Sequence, residues 1–194
     1  MDPRIPRVRR KLAAAPFQHL RSHSFGEEHH QFRLGPRPAE ARIAEFESEY
    51  AIALPGPYRQ FLLHIGGSGG GPFYGLKPLE KCTLLVMQPR SGPGIPRGFD
   101  EADTAEEGDL FLHIVEMGCT DVCVLALTGP LTGRVVIGNS DGHWGPNVSS
   151  ASDFLAWYER WLDHMAAGLD NRALELTSPH LRSHPNRHRL APKI

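Results

Sequence analysis

Ser68 lies in Gly66-Gly67-Ser68-Gly69-Gly70, which formally satisfies the Gly-x-Ser-x-Gly turn that presents a nucleophilic serine. That turn requires a strand before it and a helix after it, so that the hydroxyl stands on a tight corner. Here the apolar spacing ahead of the glycines is helical, and an extended, proline-bearing segment follows, so a hydrolase is not expected. The same glycines miss the Gly-x-Gly-x-x-Gly spacing, and no Lys-Ser or Lys-Thr follows to cradle a phosphate. The run reads as a flexible helix-to-strand connection, with a recognition surface of bare backbone as the alternative.

Eleven histidines raise the question of a metal. His180, His184 and His188 would share one helical face, but Pro185 biases His184 out of the helical region and removes a backbone donor. His19, His23, His29 and His30 lack the Cys or carboxylate pattern that would complete a zinc site. Cys82, Cys119 and Cys123 are an odd number in a chain that starts with no signal-peptide pattern, which points to the reducing cytoplasm rather than to a disulfide framework. No metal, cofactor or catalytic group is therefore expected, and the chain is not read as an enzyme.

Asp100, Glu101, Asp103, Glu106, Glu107 and Asp109 form an acidic run with no Lys or Arg inside it. Such a run stays solvated by self-repulsion, and it also suits docking against a basic partner. Trp144, flanked by His143 and Gly145-Pro146, falls in a loop where an aromatic side chain can anchor an interface. Trp157 and Trp161 are four apart on a helical pattern and read as core. Residues 1–33 hold seven basic against three acidic side chains, residues 34–169 nine against seventeen, and residues 170–194 five against two. An acidic middle argues against nucleic-acid binding, which concentrates Lys and Arg on one face. No apolar run reaches the length of a membrane span.

These residues need elements to hold them. Residues 1–24 lean towards a helical segment interrupted by Pro16 and read as a basic, partly flexible arm. Ala39, Ile43, Phe46 and Tyr50 recur at helical spacing behind Pro38, and Tyr58, Phe61, Leu62 and Ile65 make a second helix. Strands are expected at 83–87, 110–114, 122–127 and 134–138, the last two joined by a turn at 129–133, with a long loop over 89–108. Ser150 is the expected cap of a final helix, with Asp153 as its third-position partner. Residues 170–194 read as a flexible basic tail. Two helices, a run of strands and a closing helix describe one α+β domain at 25–169, its mainly antiparallel sheet flanked by N-terminal helices and a C-terminal helix.

Several blocks together resemble the SMI1/KNR4, or SUKH, superfamily. They are Phe25-Gly26 through Phe32-Arg33-Leu34-Gly35-Pro36, Glu45-Phe46-Glu47 with Leu54-Pro55-Gly56-Pro57-Tyr58-Arg59-Gln60-Phe61-Leu62-Leu63, and Gly69-Gly70-Gly71-Pro72-Phe73-Tyr74-Gly75-Leu76. Gly118-Cys119, Leu127-Thr128-Gly129 with Gly133-Arg134-Val135, and Phe154 through Leu162 follow in the expected order. Gly67-Ser68 stands where many members carry Asn-Gly, and Val135-Val136-Ile137 where they carry Val-Trp. The resemblance implies an α+β fold without a catalytic constellation. It also implies either a bacterial immunity protein that binds a cognate toxin, often a nuclease, or a regulatory or scaffold protein like the fungal members. On the immunity reading the acidic run would form a charged rim, and Phe73, Tyr74 and Trp144 would be anchors, although each also suits a core.

Overall fold

The computed structural model describes residues 1–19, 21, 25–89, 92, 94–102 and 108–169. Helices α1 (Ile5–Ala14), α2 (Glu27–His30), α3 (Glu40–Glu49) and α4 (Gly56–His64) precede the strands, and α5 (Phe154–Ala166) follows them. The strands are β1 (Leu84–Met87), β2 (Phe99–Glu101), β3 (Leu110–Glu116), β4 (Asp121–Ala126), β5 (Val135–Asn139) and β6 (Asn147–Val148). All pairings are antiparallel, in the order β2-β1-β3-β4-β5-β6. The architecture is the expected α+β one.

The helices cover one face of the sheet because their apolar spacing presents a stripe to it. Helix α5 buries Phe154, Leu155, Trp157, Tyr158, Trp161, Leu162 and Met165. Tyr58 and Phe61 of α4 meet Phe154 edge-on at 4.8 and 5.2 Å. From the sheet come Leu84, Leu110, Leu112, Ile114, Cys123, Leu125, Val135 and Ile137. A register shift between His113 and Val115 lets Ile114 and Val115 both join this core, as a bulge does by adding one residue to a strand.

The other face holds a second, smaller core of Leu85, Phe99, Phe111, Val122, Val124, Ala126 and Val136. It stays dry because the sheet curls. Phe99 N–H of edge strand β2 donates to Ser140 O, just past β5, at 3.2 Å, and the Phe99 ring lies over Gly138. Phe99 and Phe111 meet edge-on at 5.4 Å inside the curl. Strand β3 is consequently buried on both faces. The expected loop at 89–108 contains β2, and β6 was not anticipated either.

The basic start is a docked helix in its first half. Ile5, Val8 and Leu12 of α1 are buried. Arg4 Nη1 binds both oxygens of Asp153 at 2.8 and 2.9 Å, Arg7 forks onto Glu159 at 2.5 and 2.7 Å, and Lys11 reaches Glu159 and Asp163 at 2.7 Å each. The cationic stripe read as an arm is therefore a ladder of partners for α5. Asp153 is itself the cap of α5, accepting from Ala156 N–H at 2.9 Å, which moves the cap from Ser150 to the residue expected to be its partner.

The glycine run differs most from its reading. Gly69 bridges Leu34 on one side and Leu76 on the other, and Leu76 in turn bridges Val115 of β3. The run is thus an inner rung between two neighbouring backbones. A Cβ on Gly69 would stand 2.3 Å from Arg33 O, and one on Gly67 2.4 Å from Pro36 O. Glycine is required here by close backbone approach, not by a need for flexibility.

Candidate functional site

Three surface loci hold the residues singled out by the sequence. Asp100 and Glu101 are exposed on β2, where Gln88 Nε2 donates to Asp100 at 3.0 Å. Asp109 is exposed one residue before β3, with its carboxylate against Gly129 of the β4–β5 turn. Val86 pairs with both Asp100 and Leu110, so Asp100 and Asp109 lie near one cross-strand row. Two strand spacings separate them, roughly 10 Å. Asp103, Glu106 and Glu107 lie outside the described residues.

Trp144 stands in the β5–β6 loop. Its indole N–H donates to Asp121 Oδ1 at 3.0 Å, an oxygen that also takes Asn139 Nδ2 at 2.9 Å. Asn139 Oδ1 in turn receives the backbone N–H groups of Asp141 and His143. The loop is thereby folded around a buried amide, and Trp144 rests half-buried against the larger core. The contact between Phe99 and Ser140 sets the Asp100–Glu101 strand beside this loop.

Phe73 and Tyr74 form the third locus. Phe73 packs half-buried on the larger core with φ +53°. Tyr74 lies against Gly118 of the β3–β4 turn and meets the rings of Phe25 and His29 at 5.2 and 4.8 Å. Gly118 and Cys119 both have positive φ, +92° and +53°, and Cys119 is exposed. A non-glycine residue in that region is strained, a condition that clusters at functional surfaces. Tyr74 and Trp144 are linked through the β3–β4 turn, where Gly118 lies against Tyr74 and the following Asp121 holds the indole. Asp109 lies at the opposite end of β3. Phe25, 55% exposed, was missed as a surface residue; the Phe25-Gly26 pair was its available signal.

Among the described residues His30, His113 and Cys82 are buried in the fold, whereas His23, His180, His184 and His188 lie outside the described residues. His30 is buried, and its Nδ1 accepts the Phe32 N–H at 3.0 Å; burial holds its pKa below the ordinary value. His113 is buried too, with Lys77 Nζ 3.2 Å from Nδ1 and Val115 O 3.0 Å from Nε2, a pairing that suits the Nε2–H tautomer. Burial and then the Lys77 charge lower its pKa. Cys82 is pushed up to about 12 by burial, so its thiol is inert. No cluster of three potential metal ligands exists among the described residues, and no helix among them is long and apolar enough to cross a membrane. Ser68 lines a groove of about 700 Å³ between α3, the glycine run and residues 78–81, alongside Arg42, Glu45, Tyr50 and Glu80 and without a histidine.

A family model described as the SMI1 / KNR4 family (SUKH-1) matches residues 37–157, more than half of the chain. No match appears among curated proteins or among solved structures.

Proposed function

The chain belongs to the SMI1/KNR4 family (SUKH-1), and on that footing we propose that it is a non-catalytic binding module, an immunity protein that neutralises a cognate toxin by direct contact in the cytoplasm. Family membership supports a non-catalytic binding module, and the charge distribution is what favours a basic toxin over other partners. Residues 34–169 hold seventeen acidic against nine basic side chains, a surface suited to a basic partner such as a nuclease, where charge mainly accelerates encounter. Asp100, Glu101, Asp103, Glu106, Glu107 and Asp109 are the proposed charged rim. Phe73, Tyr74 and Trp144 are the proposed anchors, of which Tyr74 is the best placed, because Phe73 and Trp144 already pack on the core.

Affinity capture from the native host, with the full chain as bait, tests the proposal. Recovery of one basic, toxin-like domain whose activity the chain blocks in a purified assay is the expected outcome. Recovery of cell-envelope or signalling proteins instead would replace it with the regulatory reading, which family membership equally supports.

A further inference from the structure

The β3–β4 turn carries an aromatic platform that stays partly exposed among the described residues. Tyr74 is its centre, with Phe25 and His29 packed edge-wise on it and Gly118 beneath, where a Cβ would come within 3.3 Å of the ring. Phe25 and Cys119 stay exposed.

Two carboxylates border this platform. Glu28, 61% exposed, adjoins His29 with its Oε1 3.7 Å from Nε2. Glu116, 47% exposed, receives the Tyr74 N–H on its backbone oxygen at 3.4 Å and the Gly118 N–H on its side chain at 3.3 Å. Among the described residues, no Lys or Arg forms an ion pair with either. Rings with electron-rich faces, bordered by carboxylates whose ion-pair partners among the described residues are only the imidazoles of His29 and His113, are complementary to a planar guanidinium. Such a group stacks on a ring while its N–H fork takes the carboxylate oxygens. A phosphate backbone or an anionic lipid surface would meet the same carboxylates as repulsion.

We propose that Phe25, His29, Tyr74 and the Gly118–Cys119 turn, with Glu28 and Glu116, are the docking surface for an arginine-bearing segment of another protein. This rests on the binding-module reading for the existence of that protein, and it moves the centre of recognition from the acidic run to the β3–β4 turn. The strained Cys119 is then accounted for as the residue that shapes the tip.

The test is an amide-resolved NMR titration of the full chain with the blocked peptide acetyl-Gly-Arg-Gly-Arg-Gly-amide. The control is the same peptide with citrulline, the neutral isostere, in place of arginine. Saturable shifts centred on residues 25–29, 74 and 116–119 are expected. Affinity should fall about tenfold with citrulline, and by a similar factor in the double variant Glu28→Gln, Glu116→Gln, because the charge-assisted bonds are removed. Both glutamates are exposed enough that the variant's thermal unfolding should be unchanged; a Tyr74→Ser variant reads the ring separately. Shifts confined to other acidic surfaces, no saturable shifts, or equal binding of the citrulline peptide would overturn the proposal. So would shifts at the same residues that depend on protein concentration alone, which would assign the surface to a second copy of this chain. A chain that binds the arginine peptide as described but captures no toxin removes the immunity reading and leaves this surface standing. Toxin capture with peptide shifts elsewhere does the reverse.

Discussion

Gly69 shows how a single hydrogen atom can be a structural requirement. Its φ of +81° and the 2.3 Å approach of a Cβ to Arg33 O leave no rotamer through which a side chain escapes, because the obstacle is backbone. Gly69→Ala should cost on the order of 3 kcal/mol, read as a fall in the urea midpoint, while Gly56→Ala, where a Cβ meets nothing within 4 Å, serves as the neutral control. His30 and His113 give the second prediction at this scale. Burial holds both imidazoles below the ordinary 6.5. Above that pH both are neutral in the folded and unfolded chains. As pH falls below 6.5, the unfolded chain takes up protons that the folded chain resists, so stability drops. The urea midpoint should therefore decline from pH 6.5 to 5, and His30→Gln should flatten that decline even if it lowers the midpoint overall.

The contact between α1 and α5 is governed by Glu159 and Asp153. Arg7 and Lys11 hold Glu159 down to about 2, so its contribution is complete above about pH 4.5 and is lost as pH falls from there towards 2. Glu159→Gln should cost about 1 kcal/mol at pH 7 and remove that acid-limb slope in thermal unfolding. Asp153→Ala loses both the α5 cap and the ion pair with Arg4 Nη1 and should cost about 2 kcal/mol, with Asp153→Asn recovering the cap alone. Helices α3, α4 and α5 and strands β1, β3, β4 and β5 were legible because each has an apolar period long enough to register. Strands β2 and β6 were not, since three and two residues carry no period and sit among loop-type residues. The docking of α1 was hidden because Arg4, Arg7 and Lys11 look solvated until Glu159 and Asp163 are known to face them. At the candidate site, Tyr74 and Trp144 stood out by residue type. Phe25 did not, because only the folded chain brings it onto Tyr74.

For the molecule as a whole, charge and anchoring occupy different places. The acids of β2 lie beside the Trp144 loop, Asp109 lies by the β4–β5 turn, and the aromatic platform lies at the other end of β3. Replacing Asp100, Glu101 and Asp109 by Ser should thus slow association with the proposed basic partner about tenfold and weaken its salt dependence, leaving dissociation nearly unchanged. Stopped-flow measurement at two ionic strengths separates the two rates.

The clasp between α1 and α5 also sets an order of events during synthesis. Arg4 and Asp153 are separated by 149 positions, so the amphipathic first helix leaves the ribosome with Ile5, Val8 and Leu12 bare and meets its ion-pair partners on the last helix only when that helix has been made. Closure of the helical layer is consequently a late, long-range step, and such steps are slow because chain ends must first find each other. Until then the nascent chain exposes a basic, apolar-striped segment, the kind of surface through which unfinished chains stick to one another or are held by chaperones.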